Sequence, residues 1–279
     1  MKAITLRVKN TPGCRVDGSN LLPAALAASA PDALPRIVLQ GAGETCTLGD
    51  LFDIDIEQAD ADKPSLTIEG DAHWFDRLGA NMSEGSLTVH GDAGDYAGMK
   101  MSGGELHITG DAGLFAACEM QGGRLSIHGN AGDFAAGALP GDMEGMSGGT
   151  LAIRGNAGAR LADRMRRGTV LVGGDAGDFA ASRLIAGTVC IGGKVGAHLG
   201  YGMRRGTVLL TNAPSSVPPT FTEGGRGFDV FWLLVTRMLA RESAPGFAPF
   251  ATLAGNVLPR RYVGDLAVDG RGELLIANS

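Results

Sequence analysis

The chain has 279 residues, 45 of them glycine and 12 proline, with 44% hydrophobic residues and a net charge of −6. A glycine share more than double the usual roughly 7%, set beside so much apolar sequence, excludes both an ordinary composition and a disordered one. Glycine does not recur at every third position, which excludes collagen, and the acidic balance excludes broad nucleic-acid binding.

Residues 1–60 read as an N-terminal capping segment. It opens with a strand over Lys2–Val8. A short helix over Leu21–Ala28 follows Asp17 and Ser19, and a strand over Ile37–Gln40 comes next. The opening MKAITLRVKN lacks the apolar run of a secretory leader, and no stretch has the length of a membrane span. A cytoplasmic protein with no membrane contact is therefore expected. Cys14, Cys46, Cys118 and Cys190 form no C-x-x-C pair, so reduced thiols are expected and no metal site.

Residues 61–211 carry an internal repeat. Copies open at Pro64, Gly85, Gly104, Gly123, Gly149, Gly168, Gly187 and Gly206, 19 residues apart except for intervals of 21 and 26. A representative copy is GSLTVHGDAGDYAGMKMSG. Two positions after each opening stand Leu66, Leu87, Leu106, Leu125, Leu151, Val170, Val189 and Val208. Two further on stand Ile68, Val89, Ile108, Ile127, Ile153, Val172, Ile191 and Leu210. The period of two puts both columns on one face of a strand. An alanine column and a methionine column follow, the latter holding six of the ten methionines. No 3.6-residue period fits, and glycine would break each turn of a helical repeat. The unit is that of an all-β, single-stranded parallel β-helix, a solenoid whose coils stack at roughly 4.8 Å. Seven to eight coils make a rod on the order of 35–40 Å long. Gly85, Gly91, Gly94, Gly104, Gly110, Gly113, Gly123, Gly129 and Gly132 are assigned to coil corners, where φ is often positive and the next coil crowds close.

Residues 212–279 read as linker, helix and tail. NAPSSVPP at 212–219 is the linker, and Phe228–Arg241 has helical spacing with two aromatics on one side. The tail PRRYVGDLAVDGRGELLI reads as a β-hairpin around Asp269-Gly270. Both flanks are expected to cap the rod or face partners.

Few residues point to chemistry. The repeated GDAGD phrase is not a dinucleotide fingerprint, because that needs a single turn entering a helix. His90 and His128 share an outward column about 9.6 Å apart, too far for one metal, with His107 in the neighbouring column. Asp71, Asp92, Asp111, Asn130, Asn156, Asp175 and Lys194 form a polar ladder. Calcium or polysaccharide chemistry is one reading of it; turn capping by a side-chain oxygen is the simpler one. No nucleophile–base spacing recurs, so no catalytic residue is assigned. Late copies carry Arg164, Arg166, Arg167, Arg183, Arg204 and Arg205 along one edge. These are either solvated or a site for an acidic partner or anionic ligand, which the arginine fork suits. The seven extra residues around 137–143 in the 26-residue copy are expected to form a contact loop.

The GDAG phrase, the Met-Ser-Gly-Gly corner and the C-terminal PRRYVGD together resemble the C subunit of formylmethanofuran dehydrogenase and its bacterial relative, the formyltransferase/hydrolase complex. A glutamate synthase C-terminal domain is similar more distantly. The resemblance implies a right-handed β-helix with no catalytic residue of its own. It implies partners of two kinds, an amidohydrolase-like subunit and a formyltransferase subunit, with metals only in partner subunits. It implies one-carbon metabolism on tetrahydromethanopterin and a methylofuran or methanofuran carrier, with formate released. The glutamate-rich tail of such carriers, or an acidic partner, is then what the six arginines would meet. A molybdenum or tungsten dehydrogenase branch remains the alternative, tilted against by 19 arginines to 5 lysines. A stand-alone polysaccharide-acting enzyme is the alternative from another class.

Overall fold

A computed structural model of the protein describes residues 1–41, 43, 45–58, 62–225, 228–242, 247–251, 253 and 257–277. The boundary expected between residues 60 and 61 lies outside the described residues.

Each repeat contributes one strand to a sheet of 13 strands. Ser65–Glu69, Ser86–His90, Glu105–Ile108, Arg124–Ile127, Thr150–Ile153, Thr169–Val172, Thr188–Ile191 and Thr207–Leu210 lie side by side in chain order. All are parallel, and their register pairs repeat position with repeat position, as in Leu87↔Leu106 and Val170↔Val189. A second ladder runs through single bridges from Ala72↔Ala93 to Ala176↔Val195. Both ladders keep the repeat register, so each repeat adds one rung to each. The 26-residue copy keeps it too, its excess leaving the ladder as a loop. The Leu/Val, Ile/Val, Ala and Met columns are buried, and Leu78, Ala97, Ala116, Ala135, Leu161, Ala180 and Leu199 add a further buried column.

The ends are finished alike. Lys2–Val8 pairs parallel with Ser65–Glu69, setting Ile4 and Leu6 beside Leu66 and Ile68. Gly272–Ile276 pairs parallel with Thr207–Leu210, setting Leu274 and Ile276 beside Val208 and Leu210. Each end strand then carries an antiparallel neighbour, Phe52–Gln58 at one end and Arg260–Gly264 at the other. The last rungs are therefore covered by strands from the flanks. The expected tail hairpin is present, with Asp269 left-handed at φ 53°. The two N-terminal elements are observed at Pro23–Ala28 and Val38–Gly41, and residues 212–219 lie outside strand and helix.

The helix Asp229–Glu242 differs from its expected role. It does not close the end of the rod. Trp232, Val235 and Leu239, with Phe247 and Phe250, pack on Ala152, Leu171, Cys190, Leu209 and Leu275, the outward face of the sheet. The reason is legible in that column, which turns apolar past Gly149 and needs a cover. No described helix is long and apolar enough to cross a membrane.

Two kinds of corner glycine emerge. Gly85, Gly91, Gly104 and Gly123 have φ of 88°, 146°, 77° and 78°, so a side chain there would be strained. Gly94, Gly110, Gly113, Gly129 and Gly132 are required by closeness. A Cβ on Gly110 would fall 2.0 Å from Asp92 Oδ1, and one on Gly113 would fall 2.1 Å from Asp95 Oδ1. Those carboxylates cross the glycine to accept from the next coil: Asp111 N–H donates to Asp92 Oδ1 at 2.7 Å and Leu114 N–H to Asp95 Oδ1 at 2.8 Å. The polar ladder therefore links coils, where the sequence suggested capping within a turn. Asn130 and Asn156 perform the same task for Asn156 and Asp175, each at 2.8 Å. This explains why glycine and Asp or Asn recur as a pair.

Positive φ is not confined to glycine. Tyr96, Phe115, Phe134, Arg160, Phe179 and His198 are all left-handed, at φ of 58° to 62°. Such residues cost roughly 1–2 kcal/mol each. Stacking of successive coils offsets that cost. Tyr96 and Phe115 rings stand 5.2 Å apart, Phe115 and Phe134 4.8 Å, and Phe179 and His198 4.5 Å, all stacked. The Arg160 guanidinium fills the gap, 5.7 Å from the Phe134 ring and 4.8 Å from that of Phe179.

Candidate functional site

The six edge arginines follow from the coil geometry. Each leaves a coil just before the next opening, so successive coils deliver them to one side of the rod. Arg164, Arg183 and Arg204 line one cavity of about 540 Å³, together with Met143, Tyr201 and Ile185. Its far wall is Asp265, Ala267 and Val268 of the C-terminal tail. The loop of the long repeat contributes Met143, which is 71% exposed. The expected contact loop and the expected basic edge thus meet at one place.

The arginines are not equivalent. Arg183 makes a fork on Asp163, Nε to Oδ1 at 3.0 Å and Nη2 to Oδ2 at 2.5 Å. Asp163 is buried, and Ser182 Oγ also donates to it at 2.5 Å. Arg183 is therefore held as a fixed wall. Arg166 is paired with Glu144. Arg164 donates to the Asp142 carbonyl and lies 3.6 Å from the Met143 sulfur, which ties it to the loop. Among the described residues, Arg167, Arg204 and Arg205 have no ion-pair partner, and all three are exposed. The structure thus splits the six into two positions neutralised by a carboxylate and four that meet no carboxylate among the described residues.

Asp265 anchors the far wall. Burial pushes its carboxyl up, but hydrogen bonds from Thr220, Gly202 N–H and Ala267 N–H outweigh burial and hold it below the usual carboxylate range. Gly202 N–H donates at 2.9 Å and Ala267 N–H at 2.9 Å. This carboxylate fastens the tail to the last coil, and its charge is satisfied by those donors. The remaining cavity surface mixes arginine with Tyr201, Ile185 and Val268. It suits a ligand or segment with carboxylates and an apolar part.

The other candidate residues are dispersed. His90 and His128 are exposed on one column, and His107 sits in the next. Among the described residues, no group of three His, Cys, Asp or Glu could hold a metal. The four cysteines stand outside any disulfide, and burial pushes the thiols of Cys118 and Cys190 up to about 12. Those two are inert packing groups. Sequence reasoning missed Asp163, which fixes Arg183, and the outward ring stack. The ring stack had a signal, an aromatic recurring at one position in successive GDAG-type phrases; Asp163 had none, since its neighbours in other coils differ.

A large parallel sheet in repeat register, with a charged edge and a tail folded against that edge, defines a chain of the GXGXG-repeat class. The GXGXG motif family matches residues 57–222. The C subunit of the formyltransferase/hydrolase complex of Methylorubrum extorquens is 43% identical over 90 residues, 32% of each chain. The C subunit of the tungsten-containing formylmethanofuran dehydrogenase 2 of Methanothermobacter wolfeii is 32% identical over 99 residues, 35% of this chain and 37% of the relative. The matched segments span about a third of these curated relatives. A crystal structure of the formyltransferase/hydrolase complex from Methylorubrum extorquens, in complex with methylofuran, contains a chain that is similar at a TM-score of 0.87 and 40% identity. That likeness covers 99% of this chain and 100% of the other. The chain belongs to the family of formylmethanofuran dehydrogenase C subunits.

Proposed function

We propose that this protein is the non-catalytic structural subunit of a cytoplasmic formyltransferase/hydrolase complex. That complex moves a formyl group from formyl-tetrahydromethanopterin to a furan carrier and releases formate. The observation that carries the reading is the likeness over nearly the whole chain to a chain of a complex that holds methylofuran. Identity of 43% to the hydrolase-type relative against 32% to the tungsten-type one supports the hydrolase branch. Partner chains, one amidohydrolase-like and one a formyltransferase, carry the chemistry and any metals. This chain supplies rigidity. Residues 1–60 cap a right-handed, single-stranded β-helix over 61–211, and residues 212–279 brace its side and close its far end; the unbroken repeat register supports this division.

The edge cavity is assigned to the carrier's glutamate-rich tail. Carboxylates along a flexible tail suit guanidinium groups repeated along a rod, and Arg164, Arg167, Arg204 and Arg205 keep the charge to attract them. Replacing these four by Glu in the assembled complex tests the assignment. KM for the carrier is expected to rise about tenfold or more, with kcat for a tail-free carrier analogue unchanged. If assembly and carrier binding both stay as they were, the edge has neither role.

A further inference from the structure

The helix Asp229–Glu242 turns one face to the sheet, where Trp232, Val235, Thr236 and Leu239 are buried. At 3.6 residues per turn, Val230, Leu234, Arg237 and Arg241 fall along the line opposite that face. The outer line of an ordinary surface helix is polar. Here its first half is apolar. Val230 is 73% exposed and Leu234 58%, with Leu233 and Phe231 beside them at 38% and 37%. A single exposed apolar side chain is normal, but four within five residues form a patch.

Charge along the same helix is ordered. Asp229 opens it, and Arg237 and Arg241 stand in its second half. All three are exposed, and none forms an ion pair among the described residues. This order is self-complementary about a twofold axis placed between Leu233 and Leu234, which sets two copies of the helix antiparallel. With a rise of about 1.5 Å per residue, Asp229 lies about 7 Å from that axis along the helix and Arg237 about 5 Å on its other side. Around the helix, both lie toward Leu233's side of the outer line. The rotation therefore brings Asp229 of each copy level with Arg237 of the other. It sets Leu234 against Leu233, lays the arginine's methylene stem on Val230 and opposes the two helix dipoles.

We propose that the outer face of Asp229–Glu242 is a homotypic interface, which takes the same face of a second copy of this chain. The interface is isologous, so each contact occurs twice and the pairing closes at two. In an assembled complex it joins two copies of the scaffold. A foreign acidic surface would match the arginines alone, and so would an anionic lipid surface; Asp229 on the same face matches the second copy. The proposal concerns this chain's own surface and stands apart from the carrier assignment and from the identity of the partner chains.

Sedimentation equilibrium of the full chain across about 1–100 μM is the test, and a monomer–dimer equilibrium is expected. Leu234→Glu sets two carboxylates together at the axis and should weaken the dimer about a hundredfold or more. An unchanged thermal midpoint, expected at a position this exposed, shows that the fold is kept. Asp229→Arg and Arg237→Asp should each weaken the dimer about tenfold, because each change acts twice. The double variant restores opposite charges and should return to within about threefold of the original affinity. A chain that stays monomeric throughout, a dimer that Leu234→Glu leaves intact, or a double variant no tighter than either single one overturns the proposal. In the purified complex, Leu234→Cys treated with a short bismaleimide should cross-link this chain to itself, with the unsubstituted chain as control. Cross-linking to a different chain of the complex overturns the proposal. Binding of the full chain to phosphatidylserine vesicles that Leu234→Glu abolishes, with no dimer formed, also overturns it.

Discussion

Toward the N-terminal end the middle outward column of the sheet carries Thr67, Thr88 and His107, and past Gly149 it carries Ala152, Leu171, Cys190 and Leu209. The first set is half-buried; the second is buried under Trp232, Val235 and Leu239. The inward columns do not change between these regions: Leu87, Leu125, Leu151 and Val189 are all 0% exposed. The repeat thus fixes the interior, and departures from the repeat build the outside. The candidate site sits at such a departure: the arginine cavity lies at the loop of the long copy.

The sharpest way to break this comparison is to disturb the interior register. Gly110→Val places a side chain where a Cβ alone would fall 2.0 Å from Asp92 Oδ1 and 2.7 Å from the Gly91 backbone. The expected loss is about 4 kcal/mol or more, because neither backbone can yield without shifting both coils. Gly13→Ala is the companion, since a Cβ there meets nothing within 4 Å. Thermal unfolding of both should show a collapse of the first and a change within about 0.5 kcal/mol for the second. Equal effects would mean that coil contact does not set the glycine pattern.

That contrast also locates what the sequence made legible. The strand register, the buried ladders and the flanking strands follow from period and apolarity, so Lys2–Val8 was expected where it is found. The tail strands needed only an Asp-Gly turn signal. The direction of the polar ladder was not legible, because Asp92 could accept within its own turn or from the next coil with the same sequence. The helix seat was not legible for a related reason. Helical spacing marks Trp232 as an inward residue, but which surface receives it depends on Leu171, Cys190 and Leu209 forming one patch only after folding. The arginine edge was legible as a column. Its division was not, since Asp163 and Glu144 neutralise Arg183 and Arg166 through contacts between coils.

A smaller effect sharpens the outside of the comparison. Trp232→Ala removes the largest fully buried side chain under the helix, and about 3 kcal/mol of local stability should go with it. Hydrogen exchange should rise in Asp229–Glu242 and stay slow in Thr169–Val172, whose ladder survives. Slow exchange retained in the helix would show that it does not depend on this seat. Smaller again is the polar ladder. Asp111→Ala leaves the Asn130 N–H without its 2.7 Å acceptor and should cost about 1 kcal/mol in urea unfolding. Asp111→Asn should cost little, because Asn130 and Asn156 already serve at equivalent positions. Equal losses for the two variants would indicate that charge, and not the acceptor oxygen, is what the ladder requires.

The central claim is that the rod serves other chains. Native mass spectrometry of the tagged full-length protein, purified from its own cells at low salt, tests it most directly. The account predicts a hetero-oligomer containing an amidohydrolase-like and a formyltransferase chain, with formyl-hydrolysing activity in that fraction and none in the separated chain. Recovery of this chain alone with an activity of its own, or bound to a metallopterin-bearing chain, would contradict it.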